Sequence, residues 1–169
     1  MDLGVNYPEV GATRTGDLPA GYRHLELTTD LDTPLATAAE IVMTFGLQAR
    51  CGLRPESDVP RATPGAEFAL RYLGVRLPCQ VVWTEETPEL VGFGYGTRPG
   101  HLERGEASFL LEPLGPNRTR FTVRSFSVPG TLVTRLGAPV TRFLQTRAND
   151  RYLTVMRDAC GGANPPESR

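Results

Sequence analysis

Between Ala66 and Ser127 apolar residues recur at every second position, in short runs separated by turns, and this pattern constrains the chain more than any other. The runs are Ala66–Val75, Leu77–Glu86, Leu90–Thr97, Ala107–Glu112 and Thr119–Ser127. In the second, Cys79, Val81 and Trp83 alternate with Gln80, Val82 and Thr84. In the last, Phe121 and Val123 face inward while Arg120, Thr122 and Arg124 face out. Thr87-Pro88-Glu89 and Leu114-Gly115-Pro116-Asn117 read as turns. Connections this short leave no room for a crossover helix, so consecutive strands pair antiparallel as a meander.

The flanks supply helices to cover such a sheet. Residues 1–21 are punctuated by Pro8, Gly11, Gly16, Pro19 and Gly21 and read as extended, turn-rich chain. Tyr22–Thr29 reads as a strand, with Leu25 and Leu27 on one face and Tyr22 and His24 on the other. A helix starts at Asp30–Thr33, with Thr33 as cap and Pro34 in the first helical position. Its apolar stripe is Leu35, Ala38, Val42, Phe45 and Ala49, and it stops between Gly46 and Gly52. Leu53–Pro64 reads as a loop. After Pro129-Gly130 a second stripe runs through Leu132, Leu136, Val140, Phe143, Leu144, Ala148, Tyr152, Val155 and Ala159. Gly137-Ala138-Pro139 kinks it, Gly161-Gly162 ends it, and the part beyond Pro139 spans about 30 Å at the helical rise. The expectation is an α+β fold: a curved antiparallel sheet wrapped around a long C-terminal helix, a helix-grip domain over 1–163 with a disordered tail at 164–169. The space between sheet and helix can remain as a ligand cavity.

Composition removes several function classes. The 169 residues suit one domain, and the formal charge of −1 lacks the basic footprint of a nucleic-acid binder. All 18 cations are Arg, so Schiff-base and lysine-linked pyridoxal chemistry are excluded. Cys51, Cys79 and Cys160 form neither a disulfide framework nor a zinc knuckle. The first residues lack the basic start and apolar stretch of a signal peptide, and no apolar run nears the ~18 residues of a membrane span. A cytoplasmic protein without a cofactor is expected.

Gly92-Phe93-Gly94-Tyr95-Gly96-Thr97-Arg98-Pro99-Gly100-His101-Leu102-Glu103-Arg104-Gly105-Glu106 is a long and specific string. With Tyr7-Pro8-Glu9-Val10-Gly11-Ala12-Thr13, Leu18-Pro19-Ala20-Gly21-Tyr22 and Arg151-Tyr152-Leu153, it resembles the family catalogued as "domain of unknown function 1990" over nearly the whole chain. Arg98, Leu102, Ala107 and Val128 depart from the family's pattern. The resemblance implies a START-like, helix-grip fold and no activity.

Candidate site residues cluster around the same string. Gly92, Gly94 and Gly96 share one strand face, and glycine weakens a strand, so another group must approach closely. Tight packing by a helix or by the N-terminal segment is the favoured reading, and a ligand on that face is the functional one. A dinucleotide loop is excluded, because Pro99 and Gly100 stand where a helix would have to start. His101, Glu103 and Glu106, flanked by Arg98 and Arg104, read first as a hairpin fixed by charge pairs, with one carboxylate accepting backbone amides of the turn. With Tyr95 they are also the candidates for acid–base catalysis, while metal ligation by H-x-E-x-x-E is the least favoured reading. His24 is read as a sheet-surface residue, and Arg135, Arg142, Arg147, Arg151 and Arg157 as the solvated side of the last helix. No G-x-S-x-G string accompanies Ser108, Ser125 or Ser127.

The expected function is binding of a small apolar or amphipathic molecule, with Gly92, Gly94, Tyr95, Gly96, Trp83, Phe109 and Tyr152 as contacts. Alternatives are an enzyme using the same cavity and a regulatory protein with a filled core. Nucleic acid, metal and a membrane span are not expected, and the oligomeric state stays open.

Overall fold

The computed structural model describes residues 3–130 and 151–161. A short helix α1 (Ala12–Thr15) precedes β1 (Arg23–Leu31), followed by α2 (Leu35–Met43), α3 (Gly46–Arg50) and β2 (Arg54–Ser57). The meander continues as β3 (Glu67–Tyr72), β4 (Val75–Glu86), β5 (Val91–Thr97), β6 (Glu103–Gly115) and β7 (Arg118–Pro129). These form one seven-stranded, curved sheet in the order β1-β7-β6-β5-β4-β3-β2. Every neighbouring pair is antiparallel.

β1 joins the far end of the meander, in register from Arg23↔Ser127 to Leu31↔Thr119. That pairing brings the first strand beside the last.

Several local expectations need correction. Leu53–Pro64 is not all loop, because β2 pairs with β3 over Arg54↔Arg71 to Ser57↔Phe68. Pro34 is the residue flanking α2 rather than its first helical position, and Thr33 makes no side-chain cap. Thr33 is instead buried, its carbonyl accepting the Thr119 hydroxyl at 2.9 Å.

The stripe of the first helix is split between α2 and α3 by Phe45, which adopts a left-handed conformation (φ 58°). That backbone costs roughly 1–2 kcal/mol, which burial of an aromatic side chain, worth about 1.5–3 kcal/mol, offsets. The Phe45 ring packs against Phe68 and Phe93, with centroids 4.8 and 5.6 Å away.

A bulge lies between Val81 and Trp83 in β4: Val81 pairs with Tyr95, yet Trp83 pairs with Gly94. One extra residue reverses the facing of the strand beyond it. Cys79 and Val81 therefore enter the main core, while Trp83 turns to the other face with the glycines.

The inner face of the sheet carries Val91, Phe93, Tyr95, Phe109, Leu111, Phe121 and Val123, all in the core. Ala38, Ala39, Val42 and Met43 of α2 pack there too. Residues 151–159 are helical and contribute Tyr152 and Met156, the latter fully buried. Met156 takes the core position expected of Ala159, which is exposed. The expected stripe residues Leu132, Leu136, Val140, Phe143, Leu144 and Ala148, the kink at 137–139 and the tail at 164–169 lie outside the described residues. Among the described residues no helix is long and apolar enough to cross a membrane.

Candidate functional site

The two faces of β5 and β6 lead to two different polar arrangements. On the outer face, the glycines of β5 make room for large neighbours. A Cβ on Gly94 would lie 2.2 Å from the Trp83 indole nitrogen, and one on Gly96 would lie 2.3 Å from the Tyr7 hydroxyl. At Gly92 the obstacle is the Phe109 carbonyl of the next strand, 2.2 Å away. The N-terminal segment thus covers this face, with Tyr7 and Tyr22 both edge-on to Phe126. Gly94, Gly96 and Trp83 meet protein groups here, away from the inner cavity described below.

Glu106 sits at the centre of this cover, only 3% exposed. It belongs to β6, opposite Gly96, rather than to a turn. Its carboxylate accepts the Tyr7 hydroxyl (2.7 Å), the Gly11 amide (2.7 Å), the Thr13 amide (3.1 Å) and the Thr13 hydroxyl. The Trp83 indole N–H adds a longer contact at 3.4 Å and also donates to Thr13 Oγ1 at 3.2 Å. The backbone donors come from residues 11 and 13, nearly a hundred positions upstream, and not from the turn itself. Burial first, then the adjacent Glu106 charge, pushes the Tyr7 phenol far above its ordinary range. Both Glu106 oxygens thus accept hydrogen bonds from protein donors.

On the inner face lies a cavity of about 630 Å³, within the range of small-molecule sites. Leu25, Leu27, Leu70, Leu77, Phe109 and Val123 line it, and Tyr95 and Tyr152 close one side. Burial raises both phenols well above their usual range. Tyr152 also meets Phe109 edge-on at 5.1 Å. Of the expected ligand contacts, Tyr95, Phe109 and Tyr152 line this space.

One end of the cavity is polar. The inner face of β7 changes from Phe121 and Val123 to Ser125 and Ser127, and Arg23 pairs with Ser127 in the sheet. Glu103 lies on the same side, its Oε1 3.9 Å from Arg23 Nη2. That distance gives a charge interaction and is too long for a hydrogen bond. Both atoms are buried, and neither has a hydrogen-bond partner among the described residues. Burial pushes the Glu103 carboxyl up to about 7, against the opposing pull of Arg23.

His101 lines the same end. Its Nδ1 accepts the Glu103 amide at 2.9 Å, so the proton of the neutral ring is on Nε2. Burial pulls its pKa down to about 4. His101 and Glu103 thus meet at the cavity; Glu106 also borders it, but its carboxylate oxygens turn to Tyr7, Gly11 and Thr13. Of the arginines flanking them in sequence, Arg98 pairs elsewhere, with Glu67.

Sequence reasoning missed Arg23 as a site residue. The signal was present, since Arg23 shares a face with Leu25 and Leu27 and is a charge at the start of an apolar stripe. His24 is exposed, its Nε2 2.7 Å from the Pro19 carbonyl oxygen. Arg157 hydrogen-bonds Thr29 and is not simply solvated. No group of three or more His, Cys, Asp or Glu among the described residues is arranged to hold a metal. The three cysteines are free.

Comparison with known proteins agrees with this architecture. The family model "Domain of unknown function (DUF1990)" matches residues 6–155. A UPF0548 protein of Deinococcus radiodurans is 35% identical over 123 residues, covering 64% of this chain and 62% of that protein. The chain therefore spans less than two thirds of that relative's length. Among solved structures, the hypothetical protein jhp0584 from Helicobacter pylori matches with a TM-score of 0.67 at 9% identity, over 92% of this chain and 95% of that one. Norcoclaurine synthase from Thalictrum flavum, in complex with dopamine and hydroxybenzaldehyde, matches with a TM-score of 0.52 at 8% identity, over 80% and 87%. Identities this low speak for the fold alone.

Proposed function

The chain belongs to the DUF1990 family, and from that premise we propose that it binds a small apolar or amphipathic molecule between the inner sheet face and residues 151–159. The observation that carries this reading is the cavity of about 630 Å³, walled by leucines and aromatics and closed by a polar end. Apolar walls supply the affinity through burial, and a few polar groups set orientation. The fold neighbour norcoclaurine synthase was solved in complex with dopamine and hydroxybenzaldehyde, which supports a small-molecule reading of this fold.

Chemistry in the same cavity is the second reading, and the placement of Glu103 favours it: the carboxyl lines the cavity with one buried oxygen unpartnered. Burial pushes it up to about 7, where a carboxyl can both take and give a proton. The other candidates are less suited: Tyr95 is held as a phenol and His101 is neutral down to about pH 4.

Mass spectrometry of the natively purified protein tests the binding reading. The expected result is a copurifying apolar small molecule released on denaturation. Finding none, together with no uptake of an added apolar probe, would overturn it.

A further inference from the structure

We propose that the polar end of the cavity recognises a single hydroxyl group on an otherwise apolar, uncharged molecule; this deepens the ligand-binding reading and rests on it. Arg23 Nη2 is an open donor and Glu103 Oε1 an open acceptor, 3.9 Å apart and both buried at the cavity end. A hydroxyl oxygen about 2.8 Å from each atom closes that gap with an angle of about 90° between its two hydrogen bonds. It accepts from the guanidinium and donates to the carboxylate, so one small group satisfies both atoms.

Charge argues for the same head group. The guanidinium and the carboxylate cancel, leaving an end that is polar but carries no net charge. A carboxylate head would face Glu103 and an ammonium head would face Arg23, each at a cost amplified by low dielectric. An ether or ketone satisfies Arg23 and leaves the Glu103 oxygen open, which is expensive when buried. Beyond this pair, Ser125 and Ser127 give way to Val123, Leu25, Leu27 and Phe109, which take the apolar body. His101, through the Glu103 amide, is a positioning residue for this end.

The test compares 1-decanol, decyl methyl ether, decanoate and decylammonium by titration calorimetry with the full chain. It is run at pH 8, where Glu103, raised to about 7, is ionised. Decanol is expected to bind about tenfold or more tightly than each of the others. In the double variant Arg23→Met/Glu103→Met, decanol and the ether should bind equally. Tightest binding of the acid or the amine, equal binding of all four, or a preference that survives the double variant would overturn the proposal. Should the double variant not fold, the ranking on the unaltered protein decides alone. Binding without preference overturns the hydroxyl site only, whereas no binding of any decyl compound overturns the ligand-binding reading as well.

Discussion

Glu103 and Glu106 stand three residues apart on one strand, and the sheet sends them into opposite environments. Glu106 enters a closed polar knot, where two backbone amides and the hydroxyls of Tyr7 and Thr13 meet its oxygens. Glu103 enters a cavity end, where its charge partner is 3.9 Å away and one oxygen lacks a hydrogen bond. Both are carboxylates withdrawn from water; they differ in whether the protein itself completes their hydrogen bonds. A completed carboxylate holds the fold together, and an incomplete one at a cavity is available to a ligand.

The largest expected effect comes from breaking the completed side. Glu106→Ala strands buried donors from Tyr7, Gly11 and Thr13 and should lower unfolding free energy by about 3–5 kcal/mol in urea titration. A loss below about 1 kcal/mol would mean that water replaces the carboxylate freely and that the knot is peripheral.

Gly94→Val tests the same face by volume. The added atoms collide with the Trp83 indole, so a loss of about 3 kcal/mol is expected. Because Trp83 is the chain's single tryptophan, its fluorescence should shift as well. Unchanged stability and fluorescence would show that the glycine face does not need its closeness.

The cavity side is sharper in pH dependence than in total stability. Burial raises Glu103 from 4.5 to about 7, so its stabilising contribution is complete below pH 4.5 and is lost as pH rises through 7. His101 is lowered from 6.5 to about 4, so its contribution is complete above pH 6.5 and is lost as pH falls through 4. The two oppose each other between about pH 4.5 and 6.5. Glu103→Gln should therefore expose the histidine slope, with stability rising by about 2–3 kcal/mol from pH 4 to 6.5. His101→Gln should expose the reverse slope from pH 4.5 to 7. Identical pH profiles for both variants would contradict the burial assigned to this end.

Much of the sheet is legible in the sequence because period-two alternation and short turns leave few alternatives. The elements that escape have identifiable causes. β2 reads Arg54-Pro55-Glu56-Ser57, with no apolar alternation, yet an edge strand needs partners on one side only and tolerates proline. The start of β6 reads as a turn because glycine and charges dominate it, but its register with β7 extends to Glu103↔Pro129. Simple alternation places Trp83 on the wrong face because a bulge leaves no mark in it. At the site, the close approach demanded by three glycines is readable, while the identity of the approaching groups is not, since Tyr7 lies some ninety residues away. The pairing of Arg23 with Glu103 likewise depends on β1 closing onto β7, a contact no local pattern encodes. The resemblance to a known family supplies the fold and no chemistry.

An inner face proposed to take a ligand and an outer face closed by protein should respond differently to the same probe. Titrating the isotope-labelled chain with 1-decanol and following amide and indole resonances tests this division most directly. Shifts are expected at Leu25, Tyr95, Ala107, Val123 and Tyr152, with the Trp83 indole N–H and the Gly11 and Thr13 amides unmoved. Shifts concentrated at Trp83, Gly11 and Thr13, with the inner-face residues silent, would contradict it.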